Sequence, residues 1–253
     1  MEDEIIKIIF YFFMYSLLGW AMESIYLSIG QRRLVNTGFL YGPFCPIYGV
    51  GAVAMILGLQ CFKKNNYTLF FGGFLVGSIV EYIISYLGEV IFKVNWWDYS
   101  NNFLNINGRI CFTFSLFWGL LALYLIRHFN PIIDKLIDKI KAKVSINYLK
   151  ALVIVGIIFL AIDGILTAFA LKLFFERTVY SYNLDVINKE KYINSYERVL
   201  EMKNTTELGN KVFSDKKMLR TFPNLKLKAQ NGEIIYMDSI YKDIQPYYYK
   251  FDF

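Results

Sequence analysis

YTLFFGGFLVGSIVEYIISYLGEVIF, residues 67–92, decides the fold class. Only two charged side chains, Glu81 and Glu89, interrupt an apolar run long enough to cross roughly 30 Å of hydrocarbon. Four more stretches read the same way: about Ile5–Ile29, Gly38–Phe62, Ile110–Phe129 and Ala151–Phe175. The composition agrees, with 56% hydrophobic and 19% aromatic residues, only 19% charged, and a mean hydropathy of +0.37 over 253 residues. A soluble domain of this size needs no such apolar excess. The expected fold is an all-α polytopic membrane protein of about five transmembrane helices, residues 1–175, followed by a small α+β extracytoplasmic tail, residues 176–253.

The MEDEIIK start is acidic and the apolar run behind it is too long for a signal-peptide core, so the first segment is expected to remain as a membrane helix. Lys and Arg in the short loops set orientation. Lys7, Lys63, Lys64, Arg127, Lys135, Lys139, Lys141, Lys143 and Lys150 fall on one side, against Arg32, Arg33, Lys93 and Arg109 on the other. The lysine-rich side is assigned to the cytoplasm, which places the amino terminus inside and the tail outside a bacterial cell membrane. The excess positive charge is divided between the two parts, +4 through Phe175 and +2 beyond it, so the high pI makes no case for nucleic acid.

Between the fourth and fifth spans, residues 131–147 read as an amphipathic helix. Ile133, Leu136, Ile137, Ile140 and Val144 form its apolar face and Lys135, Lys139 and Lys143 the other. Such a helix lies on an anionic inner leaflet or docks a cytosolic partner. In the tail, residues 185–208 have helical spacing, and NLKLKAQNGEIIYMDSI alternates and turns at Asn231-Gly232, a type I′ hairpin signal. The closing IQPYYYKFDF suits the headgroup level, where tyrosines are comfortable.

A charge near the bilayer centre costs about 2.5–3.5 kcal/mol on insertion scales, so each in-span acid needs a reason. These acids are Glu23, Glu81, Glu89 and Asp163. Gly73, Gly77, Glu81, Ser85 and Glu89 recur every fourth residue, one stripe along which a neighbouring helix can approach closely. Arg32, Arg33 and Arg109 offer opposite charge. The loop NWWDYSNNFLNINGRI supplies Trp96, Trp97, Asp98, Tyr99 and Asn105 and suits a re-entrant or surface-lying loop packed on protein. The segment GFLYGPFCPIYGVGA, residues 38–52, begins the second span with irregular backbone, Pro43 and Pro46, and contributes Tyr41 and Tyr48. Either the acids and arginines pair to fasten the bundle, or they line an outer-half pocket for something polar. The candidate substrate-binding residues are Glu23, Arg33, Tyr41, Tyr48, Glu81, Glu89, Asp98 and Arg109.

Three cysteines without CxxC spacing read as buried thiols, and one histidine in the chain argues against a histidine metal or triad site. No catalytic residue, metal or cofactor is expected. GWAMESIY, NTGFLYGPFCPIYGVGA and WWDYS…LNINGRICF…SLFWG, in that order and spacing, resemble the type IV ABC-transporter permease family, the CmpB-like membrane proteins of Firmicutes. The resemblance spans roughly residues 8–175, with FSDKKMLRTFPNL also similar in the tail. It implies a multi-pass permease-like subunit of a Gram-positive cell membrane. With no GxxxxGK[ST] loop in the chain, ATP hydrolysis would come from a separate cytosolic ATPase, and five spans make a homo-oligomer a natural expectation. Two other readings stay open: an intramembrane enzyme acting on a lipid or cell-envelope precursor, and a non-catalytic scaffold or sensor working through its tail.

Overall fold

The computed structural model describes residues 2–87, 89–90, 97–202, 209, 211–223 and 225–244. Lys93 and Trp96 of the polar loop, positions 203–208 of the expected tail helix, and IQPYYYKFDF from Gln245 onward lie outside the described residues. The chain folds as two compact units. One comprises Met1–Gly19 with Cys45–Val155, the other Trp20–Phe44 with Gly156–Phe253. Helices α1 (Glu2–Gln31) and α6 (Ile146–Tyr182) contribute to both.

The first unit also holds α2 (Pro46–Gly58), α3 (Asn66–Leu87), α4 (Phe112–Tyr124) and α5 (Asn130–Lys143). Among the described residues four helical stretches are long and apolar enough to cross a membrane: Asp3–Gln31, Asn66–Leu87, Phe112–Lys143 and Ile146–Tyr182. The expected second span is where sequence and structure part. Helix α2 has 13 residues, about 20 Å at 1.5 Å per residue, and residues 38–45 ahead of it are not helical. Pro46 does not break this helix. It opens it at the first position, where its missing N–H is no loss and its fixed φ suits the helical backbone.

Helix α3 packs along α4 through its stripe of small residues. Gly73, Gly77, Glu81 and Ser85 are all buried, while Glu89 beyond them is exposed. A side chain at Gly77 would stand 2.5 Å from Trp118 Cβ, and one at Gly119 2.7 Å from the Phe70 ring, so the two helices touch backbone to side chain from both directions. Ser78 Oγ donates to Phe74 O at 2.7 Å and lies 2.6 Å from Ser115 Oγ, closing the polar groups of this seam on each other.

Helix α4 runs through a π-turn, Leu125–Phe129, into α5 without leaving the helical path. Pro131 has no N–H to offer the preceding turn, and the wider π-turn just before it makes room for its ring. Helix α5 is amphipathic as expected, but its apolar face has a different destination. Ile133 (5% exposed) and Ile137 (2%) are buried in one core with Tyr11, Tyr15, Leu69 and Ile126. Of the expected apolar face, Ile133 and Ile137 are core, Ile140 is half-buried, and Leu136 and Val144 stay exposed.

Helix α6, which the second unit holds from Gly156 onward, runs 37 residues in all, about 55 Å, so it outlasts a 30 Å hydrocarbon layer and does not stop at Phe175. Its last turns anchor the tail: α7 (Lys189–Glu201), α8 (Asp215–Thr221), β1 (Lys226–Lys228), β2 (Ile234–Tyr236) and α9 (Met237–Ile240). Ala170 and Phe174 of α6 are buried with Met218, Leu219, Phe222, Met237 and Tyr241. Strands β1 and β2 pair antiparallel with Leu227 opposite Ile235. Their turn falls at Asn231-Gly232 but is not type I′. Only Gly232 has positive φ (+90°), its N–H closes on Ala229 O at 3.0 Å, and Ala229 N–H pairs with Glu233 O at 2.8 Å. This is a β-turn followed by a glycine bulge.

Candidate functional site

Glu81 is the polar centre of the first unit. Its position in the α3 stripe aims it at α4, and it is 6% exposed. Trp118 Nε1 of α4 donates to one carboxylate oxygen at 2.9 Å, and the Tyr99 hydroxyl donates to the other at 3.1 Å. Tyr99 belongs to the polar loop that joins α3 and α4, and its ring stacks on Phe114 with centroids 4.6 Å apart. The carboxylate is therefore clamped by one donor from the neighbouring helix and one from the loop that joins α3 and α4.

That loop is pinned by Arg109. Its guanidinium pairs with Glu89 and lies over the rings of Tyr82 and Tyr86, at 5.4 and 5.6 Å. Trp97 Nε1 donates to Arg109 O at 2.9 Å, and Asn107 Nδ2 to Tyr82 Oη at 2.8 Å. Asp98 is exposed and turned to its own loop, accepting from Ser100 Oγ (2.5 Å) and Ser100 N–H (2.9 Å). These two bonds, the hydroxyl first, hold its carboxyl below the usual aspartate range. Tyr48 lies in the same unit, where its ring covers Gly19 of α1.

Glu23, Arg33 and Tyr41 belong to the second unit. Glu23 is half-buried on α1 and has no hydrogen bond or ion pair among the described residues. Arg33 Nε donates to Gln31 Oε1 at 2.9 Å, and the side chain reaches Asp238 at 4.0 Å. Tyr41 leads to a centre that the expected residues did not include. Asp163 of α6, 7% exposed, accepts the backbone N–H of Tyr41 (3.2 Å) and of Gly42 (2.9 Å), with Thr167 Oγ1 at 3.3 Å. A Cβ at position 42 would sit 2.8 Å from the Asp163 carboxylate, so this approach needs glycine. The irregular stretch thus offers Asp163 its N–H groups, while the Tyr41 hydroxyl points elsewhere, to Met218 Sδ at 2.9 Å.

A third polar cluster was not foreseen. Lys7, Tyr11 and Tyr15 on one face of α1 meet Asn130 and Asp134 of α5. Lys7 is paired with Asp134 at 2.6 Å, Tyr11 donates to the same carboxylate, and Tyr15 lies 3.3 Å from Asn130 Oδ1. The i, i+4 spacings on both helices were the available signal. The three cysteines are free, Cys45 and Cys111 buried but Cys61 exposed. Among the described residues no group of three His, Cys, Asp or Glu side chains converges to hold a metal ion.

Helices with the length to cross a membrane, carrying buried carboxylates satisfied by helix and loop donors, are the features of a membrane protein with a polar interior. No curated protein and no solved structure matches the chain. A family model described as "Putative ABC-transporter type IV" (CmpB) matches residues 10–168, which include α1 from Phe10 onward, α2 to α5 and the part of α6 that carries Asp163. The chain belongs to this CmpB-type ABC-transporter family.

Proposed function

We propose that the chain is the membrane-embedded, permease-like subunit of an ABC-type transporter, with Glu81 at the centre of its substrate path. The observation that carries this reading is the Glu81 clamp. A buried carboxylate serving only to fasten two helices would be held by donors on those helices, whereas one of its two donors here is a loop tyrosine. When Tyr99 withdraws, an acceptor becomes available to a cationic or hydrogen-bond-donating substrate, and the desolvated surroundings strengthen that contact. Glu89, Asp98 and Arg109 act in this reading by setting the position of the Tyr99 loop. Tyr48, Glu23, Arg33 and Tyr41 have peripheral roles.

The reading includes a bacterial cell-membrane location, with the amino terminus and α5 cytoplasmic and the tail outside, on the strength of the lysine bias. ATP would be hydrolysed by a separate subunit. Ile133 and Ile137 of α5 are taken up in the core, so that subunit docks on the exposed side of the helix, where Lys135, Leu136, Asp138 and Lys139 stand. The test is Glu81→Gln in the complex with that ATPase. The variant keeps the shape and both neighbours, and it should bind the ATPase while losing substrate-dependent turnover. Unchanged turnover in a folded Gln variant removes Glu81 from the path.

A further inference from the structure

The loop between α3 and α4 has the wrong side chains for a segment surrounded by water. YSNNFLNING, residues 99–108, carries no charge, and the charges at its base are engaged, Asp98 by Ser100 and Arg109 by Glu89. At its tip Phe103 (68% exposed) and Leu104 (65%) stand next to each other. Leu104 has a φ of +50°, in the left-handed region where glycine and asparagine are the usual residues. In water, a leucine held in that conformation gains nothing in return for the strain.

The backbone behind the tip is closed on itself. Tyr99 N–H bonds to Gly108 O (2.8 Å), Asn102 N–H to Tyr99 O (2.8 Å), Ile106 N–H to Ile110 O (2.9 Å) and Arg109 N–H to Ile106 O (3.0 Å). The Asn105 amide donates to Ser100 O (3.0 Å) and Asn102 O (3.1 Å) and accepts from Gly108 N–H (3.2 Å). Irregular backbone is costly near hydrocarbon because its polar groups go unpaired. This loop makes those pairs internally, which lowers the cost of moving its tip out of water.

The tip is also tied to the level where a span begins. Phe112 N–H bonds to Phe103 O at 3.3 Å, and the two rings meet edge to face with centroids 6.0 Å apart. Phe112 is the first residue of the stretch Phe112–Lys143, which is long and apolar enough to cross a membrane. Further along α4, Phe117 and Leu120 are exposed as well. Two loop side chains fall far short of the area that a protein partner needs, but they extend a surface that lipid covers. We propose that Phe103 and Leu104 anchor this loop in the bilayer, at the boundary between headgroups and acyl chains. The anchor steadies Tyr99, whose carbonyl holds Asn102 N–H, so lipid as well as protein sets the position of the Glu81 donor. The proposal does not depend on the transport reading.

Site-directed spin labelling of the full chain in phosphatidylcholine vesicles tests it. Cys61→Ser removes the exposed native thiol and leaves Cys45 and Cys111 buried. A nitroxide on Leu104→Cys should collide more with oxygen, which concentrates among acyl chains, than with an aqueous nickel chelate. Its depth should be about 5–10 Å below the phosphates. A label on Lys191→Cys, exposed on the charged helix α7, serves as the aqueous reference. Leu104 is exposed, so the variant should fold; where it does not, Phe103→Cys repeats the measurement at the adjacent position. A loop label as open to the nickel chelate as the α7 label overturns the proposal. So does a loop label shielded from both reagents or dipole-coupled to a second label, because a protein surface or another copy of the chain then covers the tip.

Discussion

Replacing Asp163 by Asn tests whether the irregular stretch before α2 is held by α6. Asn keeps the size of the side chain and one oxygen. With that oxygen in place for Tyr41 N–H and Thr167, the amide NH2 faces Gly42 N–H across what was a 2.9 Å bond. One carboxylate-assisted hydrogen bond is lost, about 1.5–3 kcal/mol. Gly42 is only half-buried, so water recovers part of this, and about 2 kcal/mol remains, or roughly 30-fold in a local opening equilibrium. Hydrogen–deuterium exchange of the full chain in detergent reads this directly. Peptides covering 38–45 should exchange about 30-fold faster in Asp163→Asn, while those of α3 and α4 stay as in the wild type. Unchanged exchange at Tyr41 and Gly42 refutes the latch, and equal acceleration throughout the protein would show general destabilisation instead.

The α3–α4 seam and the tail give two further predictions. Gly77→Ala puts a methyl 2.5 Å from Trp118 Cβ and should cost about 1–3 kcal/mol in detergent unfolding, whereas Gly51→Ala, with nothing within 4 Å, should cost nothing. In the tail, burial first, then the Asp215 charge, pushes the Tyr241 phenol above its ordinary value of 10.0, against the opposing Thr178 bond. The folded tail thus favours the protonated phenol, and that stability is intact below pH 10 and lost as pH rises past it toward the raised value. Tyr241→Phe should unfold at higher pH than the wild type, monitored by phenolate absorbance and tail protection. Identical alkaline transitions in the two proteins would count against this.

The parts of this fold legible in the sequence are those set by local periodicity. Membrane length and hydropathy identified α1, α3, α4 and α6, and the four-residue stripe identified the α3 face that holds Glu81. The partners of Glu81 were not legible, because Trp118 and Tyr99 meet it only after α4 and the polar loop have packed. Asp163 was visible as an in-span acid, but its partners are backbone N–H groups, which carry no residue signature. Helix α5 shows why amphipathicity alone stops short: an apolar face serves a core as well as a bilayer, and Ile133 and Ile137 took the core. At the hairpin, Asn231-Gly232 marked the position of the turn while the residues around it set its geometry.

In the proposed transport reading this membrane chain works with an ATPase carried by a separate subunit. The most direct measurement is ATP hydrolysis in the fraction purified on the tagged full chain from its own host's membranes in mild detergent. The expected result is hydrolysis from a second, P-loop-bearing subunit, because this chain has no GxxxxGK[ST] sequence of its own. A folded chain recovered from those membranes without any ATP-hydrolysing partner would contradict it.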